Sequence, residues 1–346
     1  MNKFLLSLLT FAITFIAVAQ QPYYDDVDIT LTGQDLYFEL QNKIDISNNT
    51  FTYGDVRDSF LVTDEDTANS NNVLLIYGHT NDSNCTTDRS RDKDDFGGGN
   101  CEYNREHVFA RGNADPDMGS ASNGSTGIVA DPHNLRPSDQ QMNNNKGNKK
   151  FAAGSGNAGD VGSGNWYPGD EWKGDVARMM MYMYTRYGDR CLPSLNGVGS
   201  TQGSTDMLQV FLQWNAEDMV TPFEDQRNEF LETEYGNRNP FIDNPALATI
   251  IWGGPQAEDR WNTLGVENFE ETIVEVFPNP ATDTVWVTSK YSLESIMLYD
   301  VNGKEVFTTS SIDSVLKVDV SSITPGLYLL KTISNGVSST NKVIIK

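Results

Sequence analysis

No stretch beyond residue 19 is long and apolar enough to span a bilayer, so the mature chain is expected to make no stable membrane insertion. Histidine is scarce: His79, His107 and His133 are all there are, too few for an all-histidine metal centre. There is no GxSxG elbow, no HExxH and no P-loop, which removes three familiar catalytic frameworks. Positive charge is also short, with 25 Lys or Arg against 48 Asp or Glu and a net charge of −23 over 346 residues. Residues 273–346 carry six Lys against seven Asp or Glu, so the acid lies in residues 20–272. Such a surface repels nucleic acid at long range unless cations or a local basic strip intervene, and composition alone suits a sugar- or protein-directed exoprotein.

What is present begins with MNKFLLSLLTFAITFIAVAQ, in which Lys3 precedes an apolar run closing in the small-x-small pattern of Ala17 and Ala19. It reads as a secretory signal peptide, residues 1–19, and predicts a secreted, extracellular or surface-attached protein. The alternative, a membrane anchor, is disfavoured by the shortness of the run. Export makes disulfides possible. Cys85 and Cys101 flank TTDRSRDKDDFGGGN, too poor in apolar residues to hold itself, and a disulfide closing that 15-residue loop contributes about 3 kcal/mol. Cys191 is then a free thiol, with no histidine near it in sequence.

The length suits two domains. Residues 20 to about 130 mix short apolar runs such as Val73-Leu74-Leu75-Ile76-Tyr77 with Asn- and Asp-rich loops, and helical periodicity comes later. In GDVARMMMYMYTRYGD the residues Val176, Met179, Met180, Met183, Tyr184 and Tyr187 share one helical face, expected to be core. Further helices are predicted at 207–214, at 225–235 and from Asn244 as cap, with Pro245 in the first turn. From residue 273 the text becomes alternating apolar runs broken by turns, with Asn302-Gly303 as a hairpin signal. GSGNAG at 154–159 matches GxGxxG but lacks the strand and helix that would make it a nucleotide site, and is read as a Gly-rich loop.

Two blocks carry candidate chemistry. CEYNREHVFARG, residues 101–112, holds Glu106 beside His107 in a strand-like run, where neighbours point to opposite faces. One could hold a metal while the other works on a neighbouring atom. DPHNLRPSDQQMNNNKGNKKF, residues 131–151, reads as a short strand, a Pro137-Ser138 turn and a helix start. A carboxylate with an amide oxygen is a hard-oxygen set suited to Mg²⁺ or Ca²⁺, not Zn²⁺. Arg136, Lys146, Lys149 and Lys150 against Asp139 supply a local basic strip. Asp92, Asp94 and Asp95 lack EF-hand spacing and read as a solvated loop.

NREHVFARG followed by DPHNLRPSDQQMNNNKGN resembles the bacterial endonuclease I family of secreted nucleases, with further matches in WYPGDEWKGDVARMMMYM and FEDQRNEFLETEYGNRNPFIDNP. The resemblance runs from about residue 30 to 255 and implies an α+β fold with a ββα-metal (His-Me finger) site over residues 20–265. It implies His107 as general base, Glu106 and Asn143 as metal ligands and Mg²⁺ as cofactor, with Ca²⁺ or Mn²⁺ as alternatives. Arg136 or Lys146 is expected to bind phosphate, and His133 and Asn134 to support the site. The insert GNADPDMGSASNGSTGIVA has no obvious counterpart to an arginine that some members place there. The tail, residues 273–346, resembles the C-terminal sorting domain of the type IX secretion system in PNPATD, YDVNGKEV and GLYLLK, and implies an all-β sandwich-like module read by the secretion machinery. The expectation is a monomeric metal-dependent endonuclease, acting on DNA and in the alternative RNA, with 5′-phosphate products and little sequence preference. A non-enzymatic binding module on a nuclease-like fold is the competing reading, disfavoured by the intact Glu106, His107 and Asn143. A glycoside hydrolase using paired carboxylates suits the acidity but leaves the Asn- and Lys-rich block unexplained.

Overall fold

The computed structural model describes residues 21–80, 85–261, 263, 274–289, 292–301, 303–310, 313–334 and 337–346. The signal-peptide reading, and Asn302 of the hairpin signal, lie outside these. The chain divides into two compact units, residues 1–264 and 265–346.

In the first unit α1 (Gly33–Asp45) and α2 (Tyr53–Thr63) precede β1 (Asn72–Leu74), β2 (Ser90–Asp92), β3 (Tyr103–His107) and β4 (Leu135–Asp139). Then come α3 (Gln140–Lys146), β5 (Lys150–Phe151), β6 (Gly159–Gly162), β7 (Asn165–Tyr167) and α4 (Lys173–Tyr187). The unit closes with α5 (Pro193–Asn196), α6 (Gln209–Glu217), α7 (Pro222–Tyr235), α8 (Pro240–Asp243) and α9 (Ala246–Trp252). The two N-terminal helices correct the loop-rich reading of that region. Thr52 and Asp55 start α2 as a reciprocal capping box, which satisfies backbone donors that a mostly polar sequence would leave open. Asn244 is likewise not the side-chain cap expected of it: its amide donates to Asp259 and Thr263, while its carbonyl accepts from Leu247 at the start of α9.

Helix α4 is the axis of the unit. Its residues from Gly174 to Arg186 are all buried, so the single apolar face expected from periodicity is too narrow a description. Met179, Met180, Met181 and Met183 fill the core, and flexible thioethers suit such irregular surroundings. Its charged residues are buried with partners: Arg178 donates twice to Glu224, at 2.7 Å each, and Arg186 pairs with Asp131 at 2.8 Å. Placing them in the interior without these carboxylates would cost several kcal/mol.

The site-bearing hairpin is β3 with β4, antiparallel, setting Glu106 opposite Arg136 and His107 opposite Leu135. Pro137 and Ser138 lie inside β4 rather than at a turn; Pro137 offers its carbonyl to Ile76 and has no N–H to leave unpaired. A Cys85–Cys101 disulfide closes the polar loop ahead of β3, and Cys191 is a buried free thiol.

The second unit is all β: β8 (Glu275–Phe277), β9 (Thr284–Thr288), β10 (Leu293–Asp300), β11 (Glu305–Thr309), β12 (Val315–Asp319), β13 (Gly326–Ser334) and β14 (Val337–Ile345). They form a three-stranded sheet, β12-β9-β8, and a four-stranded sheet, β11-β10-β13-β14, over a core that includes Val285, Val287, Ile296, Leu298, Leu330 and Val343. Among the described residues, no helix of the chain is long and apolar enough to cross a membrane.

Candidate active site

The end of β3, the start of α3 and the loop after His107 enclose a polar cavity of about 510 Å³, lined by Tyr53, Arg105, Glu106, His107, Arg111 and Asn143 among others. Neighbours on a strand were expected to face apart, yet Glu106 and His107 both reach this cavity. Their difference lies in what holds them. Just past the strand end Asn134 holds the backbone of Phe109: its Oδ1 accepts from the Phe109 N–H at 2.7 Å and its Nδ2 donates to the Phe109 carbonyl at 3.1 Å.

Glu106 is buried, and its Oε1 accepts from the Tyr77 hydroxyl at 3.2 Å and lies 3.8 Å from the Lys146 ammonium. Burial pushes the Glu106 carboxyl up to about 7, against the opposing pull of Lys146 and Tyr77. Burial also pushes the Lys146 ammonium down, against the attraction of Glu106. With Oε1 occupied, Oε2 is the oxygen Glu106 can offer the cavity.

His107 stacks on Tyr53, ring centroids 5.5 Å apart at 16°, and its Nε2 lies 2.8 Å from the Val129 carbonyl. A carbonyl only accepts, so Nε2 carries the hydrogen and Nδ1 keeps its lone pair. Burial lowers the His107 pKa to about 4, an effect that Arg111, Arg105 and Lys146 reinforce and the Val129 bond opposes. The ring is neutral at neutral pH and its free nitrogen is a base.

Asn143 sits on the first turn of α3, a helix started by Asp139, whose carboxylate accepts from the N–H groups of Gln141 and Met142 at 2.8 and 3.0 Å. Its Nδ2 donates to Asn104 Oδ1 at 2.7 Å and to the Arg105 carbonyl at 3.4 Å, leaving the amide oxygen as its group for the cavity. One carboxylate oxygen and one amide oxygen in a polar cavity with room for water fit a hard divalent cation that keeps most of its hydration. Among the described residues no cluster of three or more His, Cys, Asp or Glu could hold a metal by itself.

Two expected phosphate ligands are elsewhere. Arg136 is 1% exposed and gives Nε to Asp64 at 2.7 Å and Nη1 to Asp175 at 2.9 Å; these carboxylates stabilise its charge in the interior and leave it no reach to the cavity. Lys146 is 0% exposed, held against Glu106 and 4.7 Å from the Phe151 ring centre. His133 is a core histidine: its Nε2 lies 3.3 Å from the Asn237 carbonyl and its ring 4.5 Å from that of Tyr182. The cations that do line the cavity are Arg105 and Arg111. Arg105 donates to the Tyr53 carbonyl and the Asn123 amide oxygen, Arg111 to the Gly119 carbonyl at 2.8 Å, none of which is a carboxylate. Both flank Glu106-His107 within NREHVFARG, so basic residues beside a reactive pair in an acidic domain were the available signal.

Residues 32–246 match the family described as Endonuclease I, and residues 275–346 match the secretion system C-terminal sorting domain. A sorting domain of this kind makes the chain a secreted or cell-surface protein and implies contact with the secretion machinery. An extracellular ribonuclease of Bacillus subtilis (strain 168) is 38% identical over 245 residues, covering 66% of this chain and 78% of that protein. Another, of Bacillus amyloliquefaciens, is 40% identical over 223 residues, covering 60% and 71%. The solved structure of PorZ, a surface component of the type-IX secretion system of Porphyromonas gingivalis, overlaps 24% of this chain and 12% of its own at 18% identity and a TM-score of 0.21, a likeness too slight to bear on the fold. With the match spanning well over half its length and the Glu106, His107 and Asn143 cavity inside it, the chain belongs to the endonuclease I family.

Proposed function

We propose that the protein is a secreted, metal-dependent endonuclease of the ββα-metal type that hydrolyses phosphodiester bonds of both RNA and DNA by attack of water. The observation that carries this reading is the His107 Nε2 contact with the Val129 carbonyl, which turns Nδ1 of a neutral ring into the free base beside a carboxylate and an amide oxygen. β3 supplies Glu106 and His107, β4 returns the chain, and α3 presents Asn143, the order the ββα-metal description requires.

Glu106 and Asn143 would hold one divalent ion, with Mg²⁺ the best match to the oxygen donors. When bound, such an ion offsets charge on the phosphorus centre and the leaving oxygen. His107 Nδ1 takes a proton from water as it attacks phosphorus, a step worth roughly 10²- to 10⁴-fold. Arg111 and Arg105 hold phosphate oxygens in place of Arg136 and Lys146, and such contacts position the strand without reading its sequence. Water as nucleophile makes the ribose 2′-hydroxyl dispensable, which is why the proposal includes DNA although both Bacillus relatives are named ribonucleases.

The test is cleavage of plasmid DNA and of a homogeneous RNA with Mg²⁺ and with EDTA, by wild type and His107→Ala. The expected result is cleavage of both by wild type, to 5′-phosphate ends, and a drop of at least about 100-fold in the variant. Cleavage of RNA alone to 2′,3′-cyclic ends would instead make the 2′-hydroxyl the nucleophile and overturn the water mechanism.

A further inference from the structure

A column of planar groups leads out of the cavity. His107 stacks on Tyr53, the Arg105 guanidinium lies 3.6 Å from the Tyr53 ring centre and 5.4 Å from that of Phe96, and the Arg57 guanidinium lies 5.7 Å from Phe96. Arg105 lines the catalytic cavity, while Phe96 and Arg57 line a second cavity of about 300 Å³, so the column joins the two. Nothing in catalysis at His107 requires Phe96 or Arg57.

We propose that this column is the binding track for one nucleic-acid strand on one side of the scissile bond, with Arg105 and Arg57 taking backbone phosphates in turn. It rests on the nuclease reading above and adds where the rest of the substrate lies. A guanidinium held over a ring keeps its N–H edge available to an anion, and bases have faces that the exposed parts of such a column can meet. Arg105 has only neutral acceptors. Arg57 does pair with Asp58 at 2.5 Å, but both side chains are largely exposed, 45% and 62%, and a pair of that kind is weak and open to exchange for a phosphate. Asp58 and Asp94 share the second cavity with Arg57 and Lys93, so the pull on a phosphate is strongest at Arg105 and weakens outward. In a domain that carries the whole of the acidic excess, such a path localises the polyanion where bulk charge would repel it.

The experiment measures kcat/KM of the full chain on a single-stranded dinucleotide and an octanucleotide of the same sequence, and its dependence on salt. Wild type is expected to prefer the longer substrate. Arg57→Gln and Phe96→Leu are each expected to lower that ratio about 10-fold, the size of one charge-assisted contact. Arg57→Gln is expected to reduce the slope of log kcat/KM against log salt by about 0.7, one phosphate contact on a single strand, and Arg57→Lys to restore it. Phe96→Leu keeps the apolar volume, so a folded protein is available even if a smaller residue is not tolerated. Ratios and salt slopes equal to wild type in both variants overturn the track. A wild type that cleaves both lengths equally also overturns it while leaving the nuclease reading intact, whereas a wild type that cleaves neither overturns that reading.

Discussion

The Tyr77 hydroxyl, buried behind the cavity, donates to Oε1 of Glu106 at 3.2 Å. Tyr77 does this from a backbone φ of 72°, a left-handed conformation that a bulky side chain adopts only when its surroundings enforce it, at a cost of order 1–3 kcal/mol. Its ring is held near Phe151 and Trp166. The bond fixes one carboxylate oxygen and leaves the other to the cavity, where the proposed cation would meet it, as outer partners of metal ligands commonly do. Tyr77→Phe is expected to weaken Mg²⁺ or Mn²⁺ binding about 10-fold in calorimetric titration, with activity recovering at high metal. Unchanged metal affinity with only a lowered melting temperature would make the contact structural.

Arg111 and Arg136 should separate cleanly. Arg111 lines the cavity and is partly exposed, so Arg111→Gln is expected to raise KM about 10-fold with little change in melting temperature. Arg136→Gln removes the guanidinium that bridges Asp64 and Asp175 in the interior, leaving Asp64 with Arg227 and Asp175 with Arg178, and is expected to cost about 3 kcal/mol of stability. Reversal of the two effects would return the phosphate contact to Arg136.

The disulfide reaches the site through one arginine. Arg91 donates to the carbonyl of Cys85 and, at 2.7 Å, to Asp139, the residue that caps α3 and so places Asn143. Cys85→Ser with Cys101→Ser is expected to cost about 3 kcal/mol, read as a lower urea midpoint. Because Arg91 keeps its ion pair with Asp139, metal affinity should fall less than in Tyr77→Phe. A larger fall would show that the loop, not Arg91, holds the cap.

The linear text carried the parts of the site that act locally. Glu106 and His107 are adjacent, Asn143 follows a capping Asp139, and Cys85 and Cys101 bracket a loop that needs a tie. It did not carry burial of charge. Arg136 looked like a surface cation because its carboxylates, Asp64 and Asp175, are 72 and 39 residues away, and Lys146 because Glu106 belongs to another block. The Val129 carbonyl that sets the His107 tautomer is a backbone atom, invisible to any residue-type pattern. The mostly polar helix α2 hid for a related reason, since its cap and not its periodicity marks it.

His133 offers a pH test away from the cavity. Burial holds its pKa down to about 4, against the opposing charge of Asp131, while an unfolded histidine titrates near 6.5. Between these values the unfolded chain holds a proton at His133 that the folded protein excludes, so stability rises with pH in that window. The contribution is complete above about 6.5 and is lost as pH falls toward 4, up to about 3 kcal/mol for 1.36 kcal/mol per pH unit. His107 acts in the same direction, whereas Glu106 and Glu224, both pushed up to about 7 by burial, hold protons in the folded state and act in the opposite one. The wild-type curve is therefore a sum of opposing slopes and does not isolate one group. Urea unfolding of wild type and His133→Gln at intervals from pH 4 to 7 does: the difference between the two stabilities should grow with pH by up to one proton's slope below about 6.5 and level off above it. A difference independent of pH would mean that the buried ring titrates as it does in the unfolded chain, an outcome directly visible in the ring's NMR titration.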